Sequence, residues 1–142
     1  MLHPEFPVVQ GRYQMTREWA VTLPQHFNRR VEDGSLVFWR PGITAWVTVW
    51  GNDKAESQQE RLEWLRGDTS PAAFDGESAT DGDITRYSYR LTERREEGVV
   101  HALYAFAIGV DGHVQMAIYC DDESGLETAR AIYRSLHEAH AA

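Results

Sequence analysis

Apolar and polar residues alternate along most of the chain with a period of two residues, which is typical of β-strands. In the first half this alternation predicts strands over residues 17–23, 36–39 and 43–50. Proline cannot donate a hydrogen bond within a sheet, so we expect the first strand to end at Pro24. The short link at residues 40–42 predicts a hairpin of the other two strands. Residues 1–15 show no regular pattern, and we expect an irregular N-terminal arm there.

The second half predicts three more strands, over residues 84–94, 99–110 and 113–120. Asp111 and Gly112 separate the last two, and an Asp-Gly pair favours a tight hairpin turn. The strand at 99–110 is almost wholly apolar, which predicts a central strand covered on both faces. Residues 67–83 contain four aspartates, three glycines and a proline, and we expect a long acidic loop.

Two segments have the composition or period of helices. Residues 55–66 lack β-branched residues and precede Gly67, and Asn52 or Asp53 is the expected N-cap. The second helix is expected to begin at Ser124, which with Glu127 matches a capping box. Its apolar stripe consists of Leu126, Ala129, Ile132 or Tyr133, and Leu136. The order predicts an α+β fold, a single domain over residues 1–142 with a mainly antiparallel sheet of about six strands flanked by two helices.

Three short features carry a resemblance to a known fold family. They are Leu23-Pro24 at the end of a strand, Asp33-Gly34-Ser35 before the next strand, and Asp122-Glu123-Ser124 leading to Ser135-Leu136. With the element order, they resemble the Mog1/PsbP-like α/β/α sandwich, which includes bacterial DcrB-type proteins and chaperones of type VI secretion effectors. The resemblance implies a non-enzymatic binding or assembly module associated with secretion, and it supplies no catalytic residue.

Composition excludes several classes of function. The 142 residues include 22 acidic and 14 basic ones, a net charge of −8 that disfavours nucleic acid as a partner. No apolar run reaches the ~20 residues that a membrane-spanning helix needs. The single cysteine, Cys120, excludes an internal disulfide and a multi-thiolate metal site. The first residues have no pattern of a secretory leader, so we expect a cytoplasmic protein without a membrane contact.

The chemically active side chains form no recognisable catalytic or metal motif. His137 and His140 are three residues apart, whereas a metalloprotease helix places its histidines four apart. The acidic loop lacks the spacing of a calcium-binding loop. We therefore expect neither a metal nor a cofactor. His101 and His113 are expected near each other if they face across the last hairpin. Either histidine, together with a carboxylate, would suit a small hydrolase or isomerase.

Aromatic residues supply the strongest candidate for a binding surface. Trp46 and Trp50 alternate with threonines on one face of their strand, while the opposite face carries small apolar residues. Tyr87 and Tyr89 have the same spacing on another strand, and Trp39 extends the set. Coverage by the first helix or by the N-terminal arm is the alternative, since both faces of a sandwich sheet are buried. Tyrosine and tryptophan are enriched at protein interfaces.

These observations favour a non-enzymatic protein-binding, adaptor or chaperone-like module. Its expected binding residues are Trp39, Trp46, Trp50, Tyr87 and Tyr89. The expected partner is another protein or a second copy of the chain in a homodimer. The alternatives are the small hydrolase or isomerase and a module that binds a small ligand.

Overall fold

One antiparallel sheet of nine strands dominates the computed structural model, which describes residues 1–139. The strands are β1 (Val8–Gln14), β2 (Trp19–Glu32), β3 (Ser35–Arg40), β4 (Ile43–Gly51), β5 (Phe74–Asp81), β6 (Ile84–Arg95), β7 (Gly98–Ile108), β8 (Gly112–Cys120) and β9 (His137–Glu138). Their order across the sheet is β1-β2-β3-β4-β8-β7-β6-β5, and β9 pairs with the start of β2. The helices are short: α1 (Gln58–Gly67), α2 (Leu126–Arg134) and one 3₁₀ turn, Glu123–Gly125.

The expectation of a six-strand sheet flanked by helices is therefore wrong, and so is the α/β/α sandwich. The N-terminal arm contains β1, and the expected acidic loop contains β5. Every residue of β5 is exposed, so its sequence has no apolar alternation to reveal a strand. In β1, Gly11 has a φ of 75° and lies where the pairing with β2 shifts, which interrupts the alternation.

The first long strand also differs from expectation, because β2 continues through Pro24 as far as Glu32. Pro24 falls in the interval between Leu23 and Phe27, where the pairing with β1 is irregular. On the other side of β2, β9 pairs before this interval and β3 pairs after it. Proline is tolerated at this position because no neighbouring strand needs its missing N–H.

The expected caps of both helices are wrong: Ser57, and not Asn52 or Asp53, caps α1, and no capping box forms at Ser124. The capping box lies in α1, where the Ser57 hydroxyl accepts from the Glu60 backbone and the Glu60 carboxylate accepts from the Ser57 backbone. At Ser124 the chain forms the 3₁₀ turn instead, and Asp122 caps it by accepting from the Ser124 backbone. No side chain caps α2, which follows at Leu126.

We call the sheet face that packs against α2 the inner face. The register between β4 and β8 places Ala45 opposite Ile118 and Val47 opposite Met116, all buried on this face. From α2, the buried residues are Leu126, Ala129, Ile132 and Tyr133. This is the main hydrophobic core, and the opposite side of the sheet is the outer face.

The last hairpin is confirmed, with β7 and β8 antiparallel and joined at the predicted Asp111-Gly112 position. Across residues 1–139, no helix combines the length and the apolar character that a membrane crossing requires.

Candidate binding face

The five predicted aromatic residues all lie on the outer face. Residues directly opposite one another in antiparallel strands point to the same side of a sheet. One continuous row therefore runs from Trp46 through Ala117 and Tyr104 to Tyr89, across β4, β8, β7 and β6. Trp39, Trp50 and Tyr87 belong to neighbouring rows of the same face.

These residues differ in how much of each side chain is exposed. Trp50 is 48% exposed, whereas Tyr87 is buried at 8%. Trp39, Trp46 and Tyr89 are partly buried. Tyr87 packs under α1 with Leu62, and its hydroxyl hydrogen-bonds to Thr69 over 2.7 Å, so its role is structural. The other four remain candidates for contact with a partner.

Two tyrosines that the sequence analysis missed complete the aromatic face. Tyr104 lies between Tyr89 and Tyr119, and its hydroxyl donates to Glu93 over 2.9 Å. The Tyr119 hydroxyl is 3.1 Å away and donates to Tyr104 in turn. Burial first, and these hydrogen bonds second, raise the pKa of Tyr104 above its ordinary value. The expectation that β7 is covered on both faces hid Tyr104, although a phenol in an apolar strand needs a polar partner.

α1 covers only one end of the outer face. Leu62 and Leu65 pack there on Tyr87, Phe106 and Ile108, which form a second, smaller core. The thin apolar stripe of this helix limits the area that it can bury.

The centre of the outer face is open. β8 is a central strand, yet Gln115, Ala117 and Tyr119 are each partly exposed on this side. Adjacent strands lie about 4.8 Å apart, so Trp46 and Tyr104 flank the small Ala117 at roughly 10 Å from each other. Because the small Ala117 lies between larger rings, we call this partly exposed group, Trp46, Ala117, Tyr104 and Tyr119, the aromatic depression.

The chain's own N-terminus occupies the other end of the outer face. Asn28 is fully buried, and its amide donates to the backbone oxygens of His3 and Phe6 at 2.9 and 3.2 Å. Its oxygen accepts from the His3 backbone at 2.6 Å. The Phe6 ring meets Trp39 edge-on, with centroids 5.0 Å apart.

One cation lies between this end and the depression. The guanidinium of Arg30 is 4.6 Å from the ring centre of Trp39 and 5.6 Å from that of Trp46. Such a position is favourable because a cation is attracted to the electron-rich face of an aromatic ring.

A pocket of about 480 Å³ opens where β4 and β8 meet α1. His113 is buried in it, stacked parallel to Trp50 at 6.1 Å and edge-on to Trp64 at 6.5 Å. Arg61 donates to Nδ1 of His113 over 2.9 Å and lies 3.5 Å from Glu56. Burial first, and the Arg61 charge second, lower the pKa of His113 to about 4. The imidazole is therefore neutral at physiological pH.

The expected approach of His101 and His113 is wrong. His113 lies opposite Ile108 at one end of the hairpin, and His101 lies opposite Cys120 at the other. They also point to opposite faces, and each Nδ1 contacts an arginine, Arg61 or Arg90. The structure therefore does not bring the two imidazoles together.

Cys120 and the two C-terminal histidines are the other reactive groups that the sequence singles out. Cys120 is buried, and burial first, with Asp121 second, raises its pKa to about 11. His137 lies in β9 and not in a helix, while His140 lies outside the described residues. In the described part of the chain, no group of three or more His, Cys, Asp or Glu residues is placed to hold a metal ion.

Comparisons with known proteins show similarity of fold alone. No protein-family model matches the chain, and no curated protein matches it. A crystal structure from Bacteroides thetaiotaomicron VPI-5482 is similar with a TM-score of 0.70 and 12% sequence identity, over 92% of this chain and 49% of that one. The chain thus spans about half the length of that protein. At this identity the similarity concerns the fold, so the Mog1/PsbP-like membership stays a prediction.

Proposed function

We propose that the chain is a non-enzymatic binding module whose aromatic depression takes an extended apolar segment of a partner protein. The observation that carries the proposal is the partial exposure of Ala117 and Tyr119 in a central strand, between the rings of Trp46 and Tyr104. Half-exposed rings held by packing and hydrogen bonds lose little conformational entropy when a partner covers them. Tryptophan and tyrosine also dominate binding hot spots.

The N-terminal segment of the chain supports an apolar peptide segment as the occupant of the aromatic depression. Residues 3–7, with a turn at 4–6, lie on the same face and place the 36%-exposed Phe6 edge-on to Trp39, while buried Asn28 holds their backbone. The outer face therefore already accommodates one segment with a large apolar side chain. We infer that the neighbouring depression accommodates a segment of the same chemistry from another chain.

A peptide-library selection against the full chain tests this proposal. We expect the selected peptides to be enriched in aromatic and large aliphatic residues. Trp46→Ala should weaken their binding at least tenfold, since truncating a hot-spot ring removes about 2 kcal/mol or more. Trp64→Ala is the matched control, because Trp64 is 56% exposed on α1 and lies outside the depression. Affinity is measured by fluorescence polarisation of labelled peptides.

Two results would refute the proposal. One is the selection of peptides without apolar enrichment, and the other is equal loss of binding in both tryptophan variants. Sedimentation tests whether a second copy of the chain covers the depression instead. A dimer that dissociates in Trp46→Ala would show that it does. The secretion-associated chaperone role is a finer proposal that depends on the predicted resemblance, and the cytoplasmic location is one that depends on the leader-free pattern of the first residues.

Binding of a small ligand is the second candidate function. The pocket lined by Trp50, Trp64 and His113 supports it, since aromatic walls around a few fixed polar groups are typical of ligand sites. A fragment screen followed by tryptophan fluorescence tests it, and binding should be lost in Trp50→Ala. The hydrolase or isomerase alternative has less support, because Arg61 occupies the nitrogen of His113 that an orienting carboxylate would need.

A further inference from the structure

A buried arginine with an unpartnered nitrogen lies on the inner face, away from the aromatic depression. Arg90 in β6 is 6% exposed, and its Nε has no hydrogen-bond partner within residues 1–139. Burying a charged donor without a partner is unfavourable, since the group gives up its hydration. The Nε itself has almost no accessible area, so a ligand would supply its acceptor to the Nη1 of the same guanidinium, which faces the Glu123 carboxylate.

The neighbours of Arg90 leave its charge largely uncompensated. Its Nη1 is 3.9 Å from a carboxylate oxygen of Glu123, beyond hydrogen-bond distance, and Glu123 has a side chain 74% exposed. Its Nη2 is 3.3 Å from Nδ1 of His101. The Phe74 ring covers the guanidinium at 4.9 Å. None of these contacts provides a well-placed anionic acceptor.

Arg86, the other buried arginine of β6 whose Nε makes no hydrogen bond, differs in this respect, and its Nε lies 3.5 Å from the Asp81 carboxylate. Both of its terminal nitrogens donate to backbone oxygens at the end of α2, those of Tyr133 and Leu136, at 3.2 and 2.7 Å. Arg86 therefore ties β6 to the end of α2, whereas Arg90 has no comparable backbone contact among residues 1–139.

Arg90 lines a cavity of about 480 Å³ between α2, β5 and β6. The charged residues that share it are Arg130 and Arg134 of α2 with Asp75, Glu123 and Glu127. Ser124 contributes a hydroxyl, and α2 begins at this cavity without a side-chain cap. The Leu126 N–H already donates to the Glu123 carbonyl of the 3₁₀ turn, so the attraction that this helix start adds for negative charge comes from the helix dipole.

We propose that this cavity binds a small oxyanion, a carboxylate or phosphate group, with Arg90 as the buried donor and the partly buried Arg130 of α2 as its counterpart. Three arginines face three carboxylates there, so a single added negative charge is better matched than a polyanion. The exposed Glu123 side chain can turn toward solvent when the anion enters, since it makes no hydrogen bond to Arg90. The site lies on the opposite side of the sheet from the aromatic depression, and its occupancy is independent of the partner proposed above.

NMR titration of the full chain tests the proposal, with sodium acetate, inorganic phosphate and sodium chloride as separate probes at equal ionic strength. We expect acetate or phosphate to shift the Nε–H resonance of Arg90 in a saturable way, while chloride does not. Saturation by acetate alone identifies a carboxylate ligand, and saturation by phosphate alone identifies a phosphate group. Absence of saturation with both anions would overturn the proposal.

Arginine variants distinguish anion binding in this cavity from nonspecific attraction of anions to positive charge elsewhere on the protein. Arg130→Gln should weaken the anion at least fivefold, because it removes one charge and leaves buried Arg90 in place. Arg94→Gln is the matched control, since Arg94 is an exposed arginine of the same strand outside the cavity. Equal weakening in both variants would also overturn the proposal. Arg90→Lys should abolish the saturable shift of backbone amides at the start of α2, and unchanged shifts there would contradict the role of Arg90.

Discussion

Arg61 donates a hydrogen bond to Nδ1 of His113 over 2.9 Å, and both side chains are buried. A guanidinium has no acceptor, so Nδ1 must accept and the neutral imidazole carries its proton on Nε2. Arg61 also donates to the backbone of Gly51 and to Asn52, which ties α1 to the end of β4. The pair therefore joins a helix to the sheet through a histidine that must remain uncharged.

This pair predicts a loss of stability in weak acid. The pKa of His113 is lowered to about 4 in the folded chain, whereas an unfolded histidine titrates near 6.5. Between these values the unfolded chain binds more protons, so the free energy of unfolding falls as pH decreases from 6.5 to 4 and this contribution levels off below. We expect His113 to account for about 2–3 kcal/mol of the decrease. Urea unfolding at a series of pH values measures it.

His113→Gln provides the comparison, because glutamine can accept from Arg61 and does not titrate. The difference in unfolding free energy between the two proteins should shrink or reverse as the pH falls through this window. A constant difference from pH 7.5 to 4.5 would show that His113 does not titrate as inferred.

Gly112→Ala should destabilise the chain by about 3 kcal/mol or more. Gly112 has a φ of 149°, and an added Cβ would overlap the backbone oxygen of Trp50 on the neighbouring strand. Gly76→Ala in β5 is the control, because a Cβ there meets nothing within 4 Å. Thermal unfolding should show a clear decrease for the first variant alone, and similar melting temperatures would refute the close approach of β4 and β8.

Asn28→Ala should release the N-terminal segment from the outer face. The substitution removes three hydrogen bonds to His3 and Phe6, at an expected loss of about 1–3 kcal/mol in unfolding free energy. Hydrogen exchange of the His3 amide should accelerate. Asn28→Asp keeps the acceptor for that amide but not the donors, so it should be intermediate, and unchanged exchange in both variants would contradict the contact.

Ser57→Ala and Ser124→Ala should have different effects on stability. Loss of the capping hydroxyl at α1 should lower the free energy of unfolding by about 1 kcal/mol. Ser124 caps no helix with its side chain, so its substitution should change that energy by less than about 0.5 kcal/mol. Urea unfolding in chloride buffer measures the two free energies. A larger loss for Ser124→Ala than for Ser57→Ala would show that the capping box lies at Ser124, as the sequence predicted.

Local sequence signals predicted the elements that have an apolar face or a strong turn. The hairpin around Asp111-Gly112 has both, and its position is confirmed. β5 ends in a two-residue turn at Gly82-Asp83 but has no apolar face, and its pairing with β6 depends on backbone hydrogen bonds along an exposed edge. Such pairing depends on which strand lies beside it, and residue types within the segment do not encode that.

The sequence predicted some residues of the outer face and missed others, because local signals describe one strand at a time. Alternation along β4 and β6 placed Trp46 and Tyr89 on one side of each strand. Only the register across β8 and β7 shows that Ala117 and Tyr104 lie between them. A depression is a property of several strands together, so no single segment could reveal it.

The order of the strands has a consequence for how the chain folds. β1 to β4 form one meander of sequential neighbours, β5 to β8 form another, and the pairing of β4 with β8 joins them. Each meander can form by closing short loops, whereas the joining pair must bring residue 51 to residue 112 at its nearest point. We expect this junction to limit the folding rate, since the entropy of closing a long loop is lost before its contacts are gained. The two glycines that meet there, Gly51 and Gly112, thus lie where two independently nucleating halves become one cooperative unit.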